Sequence, residues 1–174
     1  LTGCSEEERV AAEFIRSGQA KCIVAVCDAT CLERNLHLVL QLMELTTQLI
    51  VCVNLLDEAE KMQIEIDLHA LERELGVPVV GTAAGRREGL DALLERIRNV
   101  TDGFESPRPR RCGAFEEAEA GSEEASRTAQ TAQERIVHRA EEIASRVVQT
   151  PQRSAYAARQ ARMDRFLTGR LTGW

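Results

Sequence analysis

Hydrophobic positions along this chain alternate between two periods. Cys22-Ile23-Val24-Ala25-Val26-Cys27 and Leu49-Ile50-Val51-Cys52-Val53 are continuous apolar runs of strand length. That is the pattern of strands covered on both faces, as in a parallel sheet. Between them Leu32, Leu36, Val39, Leu40 and Met43 recur at helical spacing and predict a helix from about Leu32 to Leu45. Val77-Pro78-Val79-Val80-Gly81 predicts a third strand, with Pro78 near its start where a missing N–H donor is tolerated. Four more helices are expected. The first follows a capping box, Ser5 to Glu8, and shows Val10, Phe14 and Ile15 on one face. A short acidic helix starts at Asp57. Another is capped by Asp67, runs through Leu68, Leu71 and Leu75, and ends at Gly76. The last carries Leu90, Leu93, Leu94, Ile97 and Val100. Strands alternating with helices imply right-handed crossovers and a parallel α/β sheet. Three strands make a small sheet for a complete domain.

The pattern breaks from Thr101 to about Gln130, where Pro107, Pro109, three glycines and a run of glutamates read as a linker. Helical periodicity returns with Ile136, Ala140, Ile143, Val147 and Val148 and stops at Pro151. A further helical piece is expected from about Ser154 to Leu167. The predicted division is therefore 1–101 as an α/β unit, 102–130 as an acidic Pro/Gly linker, and 131–174 as a small all-α unit. From Pro151 to Trp174 five arginines face the single acid Asp164. Two readings stand: a solvated basic helix, or a segment beside a membrane on its cytosolic side, where basic residues and Trp accumulate.

Composition narrows the class. A 44% hydrophobic share supports a core, and 3% aromatics make it a core of Leu, Val, Ile and Ala. A formal net charge of −6 argues against a nucleic-acid partner. The six cysteines form no C-x-x-C pair and three lie in strand-like runs, so they read as reduced, small hydrophobes of a cytosolic protein. No apolar run approaches the ~20 residues needed to span a bilayer. The chain has no initiator Met and is expected to begin inside a longer protein.

The candidate chemistry sits where the second strand ends, in Asn54-Leu55-Leu56-Asp57. Ligands of open α/β sheets bind at the carboxyl ends of strands. An Asn there can tie neighbouring loops together. A carboxylate three residues later can accept from N1–H and N2–H of guanine. The plainer reading is a strand end followed by a helix cap. Asp28, at the end of the first strand, could serve a phosphoacceptor module, but that chemistry wants a later Lys and none follows Lys61.

Longer stretches carry a resemblance. Asp28-Ala29-Thr30-x-Leu32-Glu33-Arg34-Asn35-Leu36-x-Leu38 resembles the signature of the ferrous iron transport protein B family. The likeness continues through Gln41-Leu42-x-Glu44-Leu45, Asn54 to Ala59, Leu75 to Val80 and Glu88-Gly89-Leu90, and returns in Asp164 to Arg170. It implies a partial Ras-like P-loop GTPase fold, three parallel strands with flanking helices, followed by a small helical domain. It implies GTP or GDP as ligand, with Asp57 reading the guanine edge and Asn54 bracing the loop. Thr82-Ala83-Ala84 would form the second base-contacting loop, with the Ala84 backbone N–H facing guanine O6. The family often has Ser where Ala83 stands. Leu55 replaces the Lys of the usual N-K-x-D, and the family commonly carries an apolar residue there.

The resemblance also implies a parent protein with Mg²⁺ at its phosphate site. A membrane domain carrying Fe(II) inward would follow at the cytoplasmic face of the inner membrane. The partners are then guanine nucleotide, an N-terminal half of the GTPase domain and that membrane domain, with a homo-oligomer as a further expectation. A phosphate cradle, G-x-x-x-x-G-K-[ST], is not found: Lys21 precedes Cys22 and Lys61 precedes Met62. A D-x-x-G motif is likewise missing. The polypeptide by itself is thus expected neither to hold a triphosphate tightly nor to hydrolyse it. The rival readings are a different Ras-like GTPase, such as a ribosome-assembly factor, and a stand-alone α/β interaction domain.

Overall fold

The computed structural model describes residues 6–113 and 123–149. The Ser5 cap, the basic Trp-ended tail and the Asp164 to Arg170 stretch lie outside the described residues. Helix α1 spans Glu6–Arg16, and strand β1 spans Ile23–Asp28. A 3-10 turn at Ala29–Cys31 leads into α2, Leu32–Leu45. Then come β2 (Leu49–Asn54), the short α3 (Leu56–Lys61), β3 (Glu65–Ile66) and α4 (Leu68–Leu75). Strand β4 is Val79–Gly81, followed by a second 3-10 turn at Ala84–Arg86 and α5, Leu90–Thr101. Helix α6, Glu123–Val147, runs directly into β5, Val148–Gln149.

The main sheet has the order β1-β2-β4, all parallel. Its register sets Val51 beside both Ala25 and Val79, and brings Asp28 level with Asn54 at the strand ends. The central β2 explains its own composition: Leu49 to Val53 are all buried. Leu49, Val51 and Val53 join the core that α2 covers with Leu32, Leu36, Val39, Leu40 and Met43. On the opposite face α5 brings Val100 to within the buried set. That cover does not extend across β1, whose Val26 stands 61% exposed. Among the described residues β1 has β2 as its only strand neighbour, so its other edge is unpaired. Val10 and Phe14 of α1 are also more exposed than buried.

Two departures from the sequence expectation concern the second half. The stretch beyond Thr101 does not stay a linker up to Gln130. Helix α6 begins at Glu123, and its Ala132, Ile136, Ala140, Ile143 and Val147 enter the same core as the sheet. The first described buried position of α6 is Ala132, a side chain too small to mark an apolar stripe. Residues 108–112, in turn, are laid across the ends of α4 and α2. Arg108 N–H donates to Gly76 O at 2.9 Å and Arg110 N–H to Leu75 O at 2.8 Å. Arg111 Nε donates to Met43 O at 2.9 Å, and the Cys112 N–H to Glu44 Oε1 at 2.6 Å. This strap needs Gly76. The residue ends α4 with φ +72°, and a Cβ there would lie 2.3 Å from Arg108 O.

Polar bonds fasten α6 as well. Glu74 of α4 accepts from Arg139 at 2.8 Å and from Arg146 at 3.0 Å. The Asp67 N–H donates to Val147 O at 2.9 Å, beside an antiparallel pairing of β3 with β5. Asp67 also caps α4 as expected, accepting from the Ala70 N–H at 2.8 Å. The third strand is shorter than its apolar run, since Val77 and Pro78 precede it. Pro78 still contributes its carbonyl, which accepts from Val51 N–H at 2.9 Å.

Candidate functional site

Strand β2 is buried and paired on both edges, and Asn54 stands at its carboxyl end. From there the chain turns sharply: Leu55 adopts a left-handed conformation, φ +64°, before α3 begins at Leu56. A branched side chain at positive φ is strained, and Leu55 is only partly covered, at 36% exposure. The turn reverses the chain so that Asp57, in the first turn of α3, comes back to the same end of the sheet as Asn54.

The second loop arrives from β4. Thr82 is buried, with its N–H donating to Val53 O at 2.8 Å and its carbonyl accepting from Leu56 N–H at 3.2 Å. Its hydroxyl donates to Asn54 Oδ1 at 3.0 Å and lies 3.3 Å from Cys52 Sγ. Ala84 N–H donates to the same Asn54 Oδ1 at 3.1 Å. One side-chain oxygen thus joins the two loops. Ala83 is buried and exchanges backbone bonds with Glu88, N–H to O at 3.1 Å and O from N–H at 3.3 Å. The loop closes at Gly89, φ +78°, where a Cβ would sit 2.2 Å from Gly81 O. Only glycine fits this approach, so Gly89 is a structural requirement of the loop.

The five expected residues, Asn54, Asp57, Thr82, Ala83 and Ala84, therefore converge on one end of the sheet. The Ala84 N–H, which the resemblance sets toward guanine O6, donates to Asn54 Oδ1 in this structure. The sequence gives no sign of this, because a backbone donor's partner depends on loop geometry and not on residue type. A further residue was missed by sequence reasoning. Arg86 Nε lies 3.2 Å from Asp57 Oδ2, with the Asp57 side chain 17% exposed and that of Arg86 50%.

The neighbouring groups are structural. Asp28 Oδ1 accepts from both the N–H and the hydroxyl of Thr30, each at 2.7 Å, and so caps the 3-10 turn. Lys61 is paired with Glu58 at 2.6 Å. A phosphoacceptor site would need Asp28 free and a lysine beside it. Burial, chiefly, pushes the Cys27 thiol up to about 12, which leaves it a protonated hydrophobe. Among the described residues no group of acids, histidines and cysteines could hold a metal ion, and no helix is long and apolar enough to cross a membrane.

Comparison with known proteins completes the picture. The family described as Ferrous iron transport protein B matches residues 1–97. The Fe(2+) transporter FeoB of Salmonella typhimurium is 46% identical over 103 residues, which cover 58% of this chain and 13% of the relative. The chain therefore spans a small part of the length of the curated relatives it matches. Among solved structures, the FeoB G-domain from Methanococcus jannaschii is 39% identical, covers 58% of this chain and 65% of its own, and superposes with a TM-score of 0.56. The cytosolic domain of T. maritima FeoB, solved in GDP and GMPPNP forms, is 20% identical. Its GMPPNP form covers 84% of this chain and 75% of its own, with a TM-score of 0.73. The parallel sheet and its helices are thus part of a Ras-like P-loop GTPase fold. With a match over more than half its length, this chain belongs to the ferrous iron transport protein B family.

Proposed function

We propose that this chain carries the guanine-recognition loops of the GTP-binding domain of a ferrous iron transporter. The observation that supports it best is the shared Asn54 Oδ1, which holds the Asn54–Asp57 stretch against Thr82–Ala84. That brace fixes where the Asp57 carboxylate stands. Its two oxygens can take N1–H and N2–H of one guanine, a pairing that adenine cannot offer. In the intact protein, nucleotide held here drives or gates Fe(II) uptake through a membrane domain, with this part at the cytoplasmic membrane face. The division of labour is then a GTPase half up to residue 101, and α6 as the start of the helical part. Mg²⁺ and the phosphates belong to motifs that this chain's residues do not form, so the chemistry assigned here is base recognition alone.

Competition binding on the full-length parent tests this reading. Inosine diphosphate lacks the N2 amine and should bind roughly 10- to 100-fold more weakly than GDP, the value of one hydrogen bond to a charged acceptor. Equal affinity for the two would rule out Asp57 as the base reader.

Leu55 leads to a second expectation. It stands where a lysine commonly packs its stem along the base, and it supplies apolar contact without charge. Leu55→Lys should slow GDP dissociation, measured by chasing a fluorescent GDP analogue. No slowing would show that Leu55 is not what sets the nucleotide's residence time.

A further inference from the structure

We infer that Arg86 competes with the guanine base for Asp57, so that the base must displace Arg86 before it can be read. This rests on the reading of Asn54–Asp57 as the guanine-recognition stretch. Arg86 is not a stray surface side chain. Its backbone is built into the 3-10 turn, with Arg86 N–H donating to Ala83 O at 2.8 Å and Arg87 N–H to Ala84 O at 3.0 Å. Ala84 is itself held by Asn54. The brace that positions the carboxylate therefore also positions its competitor.

The chemistry of the two occupants is alike. A guanidinium presents planar N–H donors suited to a carboxylate. The guanine edge presents two N–H donors in a plane. Arg86 Nε is 3.2 Å from Asp57 Oδ2, while guanine needs both oxygens of that carboxylate. No other cation is paired with Asp57 among the described residues. Lys61, the nearest lysine in sequence, is engaged by Glu58.

The strength of this competition follows from exposure. With Arg86 half-exposed, the pair belongs with solvent-accessible ion pairs, whose removal changes an equilibrium by about two- to fivefold. It is thus a brake and not a block. It acts on the empty site, so it lowers the rate at which nucleotide enters and leaves the dissociation of seated nucleotide unchanged. Because the pair is ionic while guanine is neutral, salt weakens the brake more than it weakens base recognition.

Stopped-flow association of a fluorescent GDP analogue with the full-length parent is the test, using Arg86→Ala and Arg86→Gln. Both variants should associate about two- to fivefold faster at low ionic strength. Their dissociation rates should match the unsubstituted protein, and the gain should shrink toward nothing at about 0.5 M salt. Unchanged association in both variants overturns the inference. So does slower association or faster dissociation, since Arg86 would then be holding the base. A parent that binds no GDP overturns the guanine reading and this inference with it. Binding of GDP with indistinguishable variants overturns the inference alone.

Discussion

Asp57→Asn should exchange the preferred base of this site from guanine to xanthine. An asparagine keeps the shape of the side chain but replaces one acceptor by an N–H donor. Guanine then keeps its N1–H bond and sets its N2 amine against another donor. Losing a charge-assisted bond and creating that clash should weaken GDP binding by about 10²-fold or more. Xanthine carries an oxygen where guanine has the amine, so it pairs with both groups of the asparagine. Xanthosine diphosphate should therefore bind the variant better than GDP does, in competition against a fluorescent nucleotide on the full-length parent. The fold is expected to tolerate the change, because the charged partner that Asp57 loses is the half-exposed Arg86. A variant that still prefers GDP would show that the base is read elsewhere.

Ile143→Ala carries the largest expected effect on stability. Ile143 is fully buried in the core that α6 shares with α2, α4 and the sheet. Truncating a buried isoleucine costs about 2–5 kcal/mol, through lost burial and the cavity left behind. For a domain of this size that corresponds to a fall in Tm of roughly 5–15 °C. The informative readout is where the loss is felt. If α6 is part of one cooperative unit, amide exchange in β2 accelerates together with exchange in α6. A variant in which α6 opens while Val51 and Val53 stay protected would mean that the helix folds on its own account.

The elements read most directly from sequence are those whose hydrophobic period was decisive. The stripe from Leu32 to Met43 gave α2 with both ends correct, since its five apolar positions are the five that are buried. The run from Leu49 to Val53 gave the central strand for the same reason. Asp67 and Gly76 bounded α4 through a side-chain cap and a left-handed end, both local chemistry. What stayed hidden has no local signature. The strap at 108–112 is held in part by the backbone N–H groups of Arg108 and Arg110, a pairing their side chains do not announce. The β3–β5 pairing is two residues long, too short to show a period. In the site, residue types pointed to Asn54 and Asp57, and resemblance added Thr82, Ala83 and Ala84. The ion pair to Arg86 depends on the turn at Ala84–Arg86 and on the left-handed Leu55, neither of which can be read from residue types alone.

Gly76 has a meaning for how this protein can vary. One missing methyl group satisfies two unrelated demands, the left-handed end of α4 and the seat of the Arg108 carbonyl. A substitution is penalised by each demand separately. A compensating change that relieves one leaves the other in force. Asparagine, often accepted at helix ends, would meet the first demand and collide at the second. The position is therefore closed to single-step change, and an exchange there requires the strap to be rebuilt in the same lineage. Among living variants of this chain, Gly76 and the path of residues 108–112 should be inherited together.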